Sequence, residues 1–349
     1  MMKQGVSIVI CCYNSATRLP ETLRHLGCQS SCDDPDWEVI IVDNASTDNT
    51  TEIAKEACPE SIKSRLRLVA EPKSGLSNAR ICGLHASQYS LVSFIDDDNW
   101  VSPDWIKKIN TAFATDSKLG ALGGPALPVY ESPPPPWMSR IKGFYALGKQ
   151  HAHDGDITDA EGTLLWGAGL TIRREALIKL FERGFEFLMS DRQGSRLSTG
   201  GDTEICFGLR AMGWSFRYDS QITLQHFVPS SRLTWEYACN LMYGMGCASV
   251  VFTIYLIAFG KMPFDHPSLM KRKGNWNYQF LKSIKKIMEL LLFNPSVSWR
   301  KKEGCDAEIK YQILKGVLSS LLSNKKKYTE YINKIQNASW NLENKYKMQ

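Results

Sequence analysis

Four short apolar runs follow one another near the start of the chain: VSIVIC (Val6–Cys11), WEVIIVD (Trp37–Asp43), RLRLVAE (Arg65–Glu71) and LVSFIDD (Leu91–Asp97). Each is nearly continuous in Val, Ile and Leu, as strands buried on both faces are. Between them, Thr17–Cys28, Thr47–Ala57 and Ser74–Ala86 open on polar residues and continue with helix formers. Strand–helix alternation of this kind admits few folds. It predicts a mostly parallel α/β sheet with helices on both faces. Ligands of such sheets bind beyond the carboxyl ends of the strands. Those ends read CYNS, DNASTD, EPKSG and DDDNW, so four polar loops are expected at one crevice. NASTDNT also reads as a helix start, whose free N–H groups favour an anion.

A stiff extended connector, ESPPPPW (Glu131–Trp137), follows this half. Beyond it, Gly-rich loops surround a helical stretch from Glu204 to Met212 and two strand-like runs, WSFRYD and ITLQHF. We therefore expect an α/β half over 1–125 and a second half of the same domain over 126–235. A helical, basic extension is expected over 236–349.

Charge separates that extension from the body. Residues 261–349 carry 18 Lys/Arg against 7 Asp/Glu, whereas residues 1–260 carry 24 against 29. Tyr237–Gly260 holds no charged residue and is long enough to span a bilayer, though Gly, Ser, Thr and Asn dilute it. The run reads as a membrane-contacting helix or as a helix buried against the body. With the lysines that follow, it suggests attraction to an anionic inner leaflet and a peripheral cytoplasmic location. Trp276, Tyr278 and Trp299 lie among those basic residues, but no nucleic-acid recognition motif does, and nucleic acid is not expected as a partner. The ten cysteines are scattered without a CxxC pair, which suits a reducing compartment. No signal peptide is apparent.

The chemistry concentrates in FIDDDNW (Phe94–Trp100). Three adjacent carboxylates repel one another, and a hard divalent cation shared with substrate phosphates is the partner that makes them useful. A polar turn with helix-capping aspartates is the plainer reading. A second acidic centre lies in GGDTE, where Asp202 and Glu204 open a helix. HAHDGD (His151–Asp156) could suggest another metal cluster but reads better as a mobile loop over the acceptor.

VSIVICCYNS, VIIVDNASTDNT, GLSNAR, FIDDDN, WGAGLTIRREAL and GGDTEICFGLRAMGW occur in an order that resembles family 2 glycosyltransferases. The resemblance covers about residues 5–230 and implies a GT-A fold, a nucleotide-diphospho-sugar donor, most often uridine, and transfer with inversion. It also implies that the half over 1–125 binds the nucleotide sugar and that the half over 126–235 binds the acceptor and carries the catalytic base. By that resemblance Tyr13 stacks on the base, with Asn14 beside it in the YN motif. Asp43 hydrogen-bonds the base and Arg80 reaches the nucleotide. Asp96 faces the ribose, Asp97 joins the donor site, and Asp98 holds Mn²⁺ or Mg²⁺ with His226. Asp202 is the catalytic base; Trp166, Gly167 and Glu204 meet a saccharide or lipid-linked acceptor. Two positions depart from the family pattern: Lys73 replaces an Asn, and Gly201 replaces the Glu before the base. An aspartate-dependent phosphohydrolase and a non-catalytic membrane- or nucleic-acid-binding protein are the other readings. The first would normally place its Asp pair after the first strand, not the fourth.

Overall fold

The computed structural model describes residues 3–30, 36–158, 164–189, 200–260, 272, 274–294 and 303–342. Lys271, Lys273 and Trp299 of the basic tail lie outside the described residues. The strands are β1 (Lys3–Cys12), β2 (Trp37–Asp43), β3 (Leu66–Ala70), β4 (Tyr89–Ile95), β5 (Asn99–Val101), β6 (Leu119–Gly123), β7 (Ala126–Tyr130), β8 (Gly155–Asp156), β9 (Leu170–Arg173), β10 (Ser215–Tyr218) and β11 (Leu224–Val228). The body helices are α1 (Leu19–Gly27), α2 (Thr50–Glu56), α3 (Leu76–Ala86), α4 (Trp105–Ala114), α5 (Met138–Ile141), α6 (Arg174–Glu182) and α7 (Gly201–Ala211). Then come α8 (Trp235–Phe259), α9 (Trp276–Phe293), α10 (Asp306–Ser323) and α11 (Tyr328–Gln336).

Eight strands form one sheet in the order β3-β2-β1-β4-β9-β6-β10-β8. The four apolar runs read from the sequence are its parallel strands β1 to β4. Both faces of β1 are buried: Val6, Ile8 and Ile10 join one core and Val9 the other. That double burial is why the run shows no alternation. Strands from both expected halves interleave in this sheet. Most consequential is β9, which runs antiparallel between β4 and β6. Its direction brings the loop before it, Trp166–Gly169, to the same sheet end as the DDD loop after β4, with Leu170 opposite Phe94.

A second, three-stranded sheet, β5-β11-β7, lies at the edge of the crevice. Pairing of β11 with β5 sets His226 opposite Asn99, next to Asp98. The HAHDGD segment differs from its expectation as a mobile loop. Gly155–Asp156 pairs with β10, and Asp154 accepts hydrogen bonds from the Ser220 N–H and hydroxyl at 2.8 and 2.7 Å.

The apolar run near residue 240 becomes α8, long and apolar enough to cross a membrane by length and composition alone. Its place is internal. Val250, Val251, Ile254 and Phe259 are buried in the same core as α6 and α7. A Cβ on Gly246 would stand 2.1 Å from the Ile313 carbonyl oxygen, and one on Gly316 2.1 Å from that of Tyr243. The glycines thus let α8 and α10 touch backbone to backbone. The buried alternative describes this helix, and its small residues serve helix packing. Trp340 closes the same core against Phe185 and Phe259.

Candidate active site

A cleft of about 570 Å³ opens where the strand ends predict it. Tyr13, Arg80, Asp96, Asp97, Asp98, Trp166, Gly167, Asp202 and His226 all line it. One end is polar and charged. The other is walled by Phe144, Leu164, Trp166 and the α8 residues Leu241, Met245 and Phe252.

Two arginines answer the charge of the aspartate triplet. Arg18 donates to Asp97 Oδ2 from Nε at 3.1 Å and Nη2 at 2.6 Å. Thr22 holds the Asp97 carbonyl with a 2.7 Å hydroxyl bond. Burial and the adjacent Asp98 nonetheless push the Asp97 carboxyl above its ordinary value, against the pull of Arg18. Arg232, on the short turn after β11, donates from Nη1 to Asp98 Oδ2 at 2.9 Å. Burial alone would lower the Arg232 guanidinium. Asp98, with Tyr237, Asp97 and Asp96 beyond it, outweighs burial and holds it above its usual value. Asn99 fastens the loop, donating to Asp98 Oδ1 at 3.1 Å and accepting from the Asp96 N–H at 3.0 Å.

Asp202 lies across the cleft, in the first turn of α7. The helix begins at Gly201, earlier than the expected Glu204, because Gly200 enters it with φ +124°. Asp202 Oδ2 accepts from the Gly167 N–H at 2.7 Å, and Oδ1 from the Thr203 N–H at 2.9 Å. Gly167 has no room for a side chain. A Cβ there would meet Arg80 Nη2 at 2.8 Å and Asp202 Oδ2 at 2.9 Å. The guanidinium of α3 and the carboxylate of α7 therefore flank one backbone point. Gln150 anchors that loop, accepting from the Trp166 N–H at 3.1 Å.

His226 sits with Nε2 3.5 Å from Asp98 Oδ1, while its Nδ1 is buried with no hydrogen-bond partner. Among the described residues, no group of three or more His, Cys, Asp and Glu side chains forms a metal cage. An ion shared with a diphosphate needs only one or two protein ligands. Asp98 Oδ1 and His226 Nε2, 3.5 Å apart, are a carboxylate and an imidazole of the kind such an ion takes.

Three expected site residues are elsewhere. Asn14, at φ +50°, accepts from the Thr47 N–H at 2.8 Å and staples the first loop to the second. Asp43 accepts from the Ser46 N–H at 3.1 Å and the Thr51 hydroxyl at 3.0 Å, closing its own turn. Neither is among the lining residues. Glu204 corrects the acceptor assignment: it is fully buried and accepts from Leu188 N–H, Met189 N–H and the Tyr255 hydroxyl. Two residues on from Asp202, about 200° around the helix, Glu204 points to the opposite side and meets the core, not the cleft. Conversely, Arg18, Arg232 and Gln150 carry the site but no motif marked them, and Asn44, inside DNASTD, had no role assigned to it. Asn44 draws the EPKSG loop in, donating to the Glu71 and Lys73 carbonyls and accepting from the Gly75 N–H. With the loop held by its backbone, the side chain at position 73 is left exposed.

Comparison with known proteins decides the kind of chemistry. The family model for glycosyl transferase family 2 matches residues 7–181. The chain belongs to that family. Family membership makes it a glycosyltransferase and sets aside the phosphohydrolase and non-catalytic readings. The succinoglycan biosynthesis protein ExoM of Rhizobium meliloti (strain 1021) is 27% identical over 232 residues, 66% of this chain and 70% of that one. The putative teichuronic acid biosynthesis glycosyltransferase TuaG of Bacillus subtilis (strain 168) is 37% identical over 100 residues, 28% of this chain and 38% of that one. Among solved structures, the mannosyltransferase PcManGT from Pyrobaculum calidifontis, in complex with GDP-Man and Mn²⁺, superposes with a TM-score of 0.55 at 16% identity. The match covers 93% of this chain and 87% of that one, and the shared fold is GT-A.

Proposed function

We propose that this glycosyltransferase moves a sugar, with inversion, from a uridine-diphosphate donor to a hydroxyl of a saccharide or lipid-linked saccharide during surface polysaccharide synthesis. The observation that carries the reading is the single cleft in which Tyr13, Arg80, Asp96 and Asp98 face Asp202. The names of ExoM and TuaG, both polymer biosynthesis proteins, support the acceptor class.

Tyr13, 42% exposed at the mouth, offers a ring face to the base. Asp96 takes the ribose and Arg80 the diphosphate charge. Asp98 and His226 hold Mn²⁺ or Mg²⁺, which when bound offsets the charge of the departing diphosphate. Asp202, fixed by two backbone N–H groups, takes the proton of the acceptor hydroxyl as that oxygen attacks the anomeric carbon. The bond from that carbon to the diphosphate oxygen breaks on the opposite face. Trp166, beside this base, gives the acceptor sugar an apolar platform.

The test is a panel of nucleotide sugars, each scored for thermal stabilisation and hydrolysis with Mn²⁺ or with chelator. A uridine sugar should raise the melting temperature in the metal-dependent arm. Absence of any nucleotide-sugar effect would remove the donor assignment. Retention of anomeric configuration in the product would remove the inverting one.

A further inference from the structure

With α8 internal, the membrane contact suggested by the sequence loses its expected element, and another helix presents itself. Eight large apolar side chains stand exposed among the described residues, and five lie on α9 and α10: Leu281, Met288, Leu292, Phe293 and Leu322. Their exposures run from 57% to 78%, so these are not grazing contacts. Two of the remaining three, Tyr13 and Phe144, line the cleft.

The spacing is orderly. Leu281, Met288 and Leu292 recur at i, i+7 and i+11, a stripe about 16 Å long on one side of the 18-residue helix. The opposite side of α9 packs inward through Trp276, Phe280 and the buried Ser283. Lysines follow one edge of the stripe: Lys285 and Lys286 are exposed and Lys282 half-exposed, and Glu289, the lone acid on the helix, lies 3.8 Å from Lys285. Trp276 Nε1 donates to the Leu321 carbonyl at 2.7 Å, and Lys325 Nζ lies 4.8 Å from the Trp276 ring. These contacts bring exposed Leu322 and Lys325–Lys327 to the start of α9.

We propose that α9 docks on the surface of an anionic lipid bilayer, seating Leu281, Met288 and Leu292 at the acyl boundary with the lysines among the headgroups. An apolar stripe with lysines along one edge is complementary to that surface in both shape of hydrophobicity and sign of charge. A protein partner would have to supply an acidic rim around an apolar strip; a bilayer of anionic lipid supplies both everywhere. The arrangement also links docking to the cleft. Helix α9 rests on α10, α10 packs on α8, and α8 walls the apolar end of the cleft.

The test uses the full chain and sedimentation with vesicles of phosphatidylcholine alone or mixed with phosphatidylglycerol. The protein should sediment with the anionic vesicles, weakly or not with the neutral ones, and less as salt rises. A triple variant, Leu281→Gln with Met288→Gln and Leu292→Gln, should lose vesicle binding while keeping its unfolding midpoint and its transfer to a soluble acceptor. Replacing Lys282, Lys285 and Lys286 by Glu should weaken binding at least about fivefold per lysine. Equal binding by wild type and both variants, or none by wild type, would overturn the proposal. So would self-association of the wild type that the triple variant abolishes without any vesicle binding, since the stripe would then belong to a second copy. The vesicle result stands apart from the transfer reaction, so each reading can fail alone.

Discussion

The Asp202 carboxylate is held by the backbone N–H of Gly167, at 2.7 Å, across 35 residues of chain. This bond joins the acidic first turn of α7 to the loop that β9 delivers to the cleft. It fixes one carboxylate oxygen, while the other accepts from the Thr203 N–H at 2.9 Å. Asp202→Asn should therefore keep donor affinity and lower turnover by about 100- to 10,000-fold, the usual worth of a positioned base. Calorimetric donor binding beside single-turnover kinetics checks both halves; unaltered turnover removes the assignment. Gly167→Ala should also lower turnover, since its Cβ must displace Arg80 or Asp202.

Asp98 and Arg232 form an enclosed ion pair in the cleft, with 2% and 21% of their side chains accessible. Asp98→Ala removes the proposed metal donor and takes from Arg232 the carboxylate it donates to. Metal-dependent donor binding should fall, and stability should fall by about 3 kcal/mol, because a buried charge loses its partner. Urea denaturation measures the second effect. Adding Arg232→Met to the same chain should recover part of the stability but none of the metal dependence. Full donor affinity of Asp98→Ala with Mn²⁺ would exclude it as a ligand.

Glu204 is a structural carboxylate, and its variants should behave so. Glu204→Leu leaves the Leu188 and Met189 N–H groups and the Tyr255 hydroxyl without their acceptor. A loss of about 2–4 kcal/mol is expected from buried groups left unsatisfied. At temperatures where the variant is folded, its KM for acceptor should match the wild type. A selective rise in acceptor KM would return Glu204 to the site.

His25 stacks on Trp100, beside the aspartate loop, with ring centroids 5.4 Å apart. Burial, and then Arg24, pushes its imidazole below the ordinary value, although Glu21 pulls the other way. The unfolded chain therefore binds a proton more readily than the folded one. Stability should drop as pH falls through about 6.5, the unfolded value, and stop dropping once the folded imidazole is also protonated. Urea midpoints at stepped pH test this; His25→Gln should flatten that segment of the curve.

Much of this architecture is legible in local sequence. The runs that became β1, β2 and β4 announce themselves because strands buried on both faces must be apolar throughout, whereas β3 is a half-buried edge strand that admits Arg67. The crevice follows from their shared direction. The strands β5, β6, β7 and β9 escape notice: they are short, and sequences such as LGALG and LTIR lie among glycines and charges that mask their pattern. Arg18 and Arg232 escape it for a different reason. An arginine in YNSATR or PSSRLTW carries no mark of the carboxylate that will face it, which lies 79 or 134 residues away.

The sequence by itself determined the four parallel strands, the acidic strand end and the family, because periodicity and ordered motifs are properties of neighbouring residues. Tertiary structure alone decided which carboxylates face the cleft. Asp96, Asp98 and Asp202 reach it, whereas Asp43 closes a turn and Glu204 turns inward to Tyr255. It also decided that the apolar α8 is interior while α9 shows its leucines. A side chain's exposure depends on what packs against it, and those partners come from distant parts of the chain.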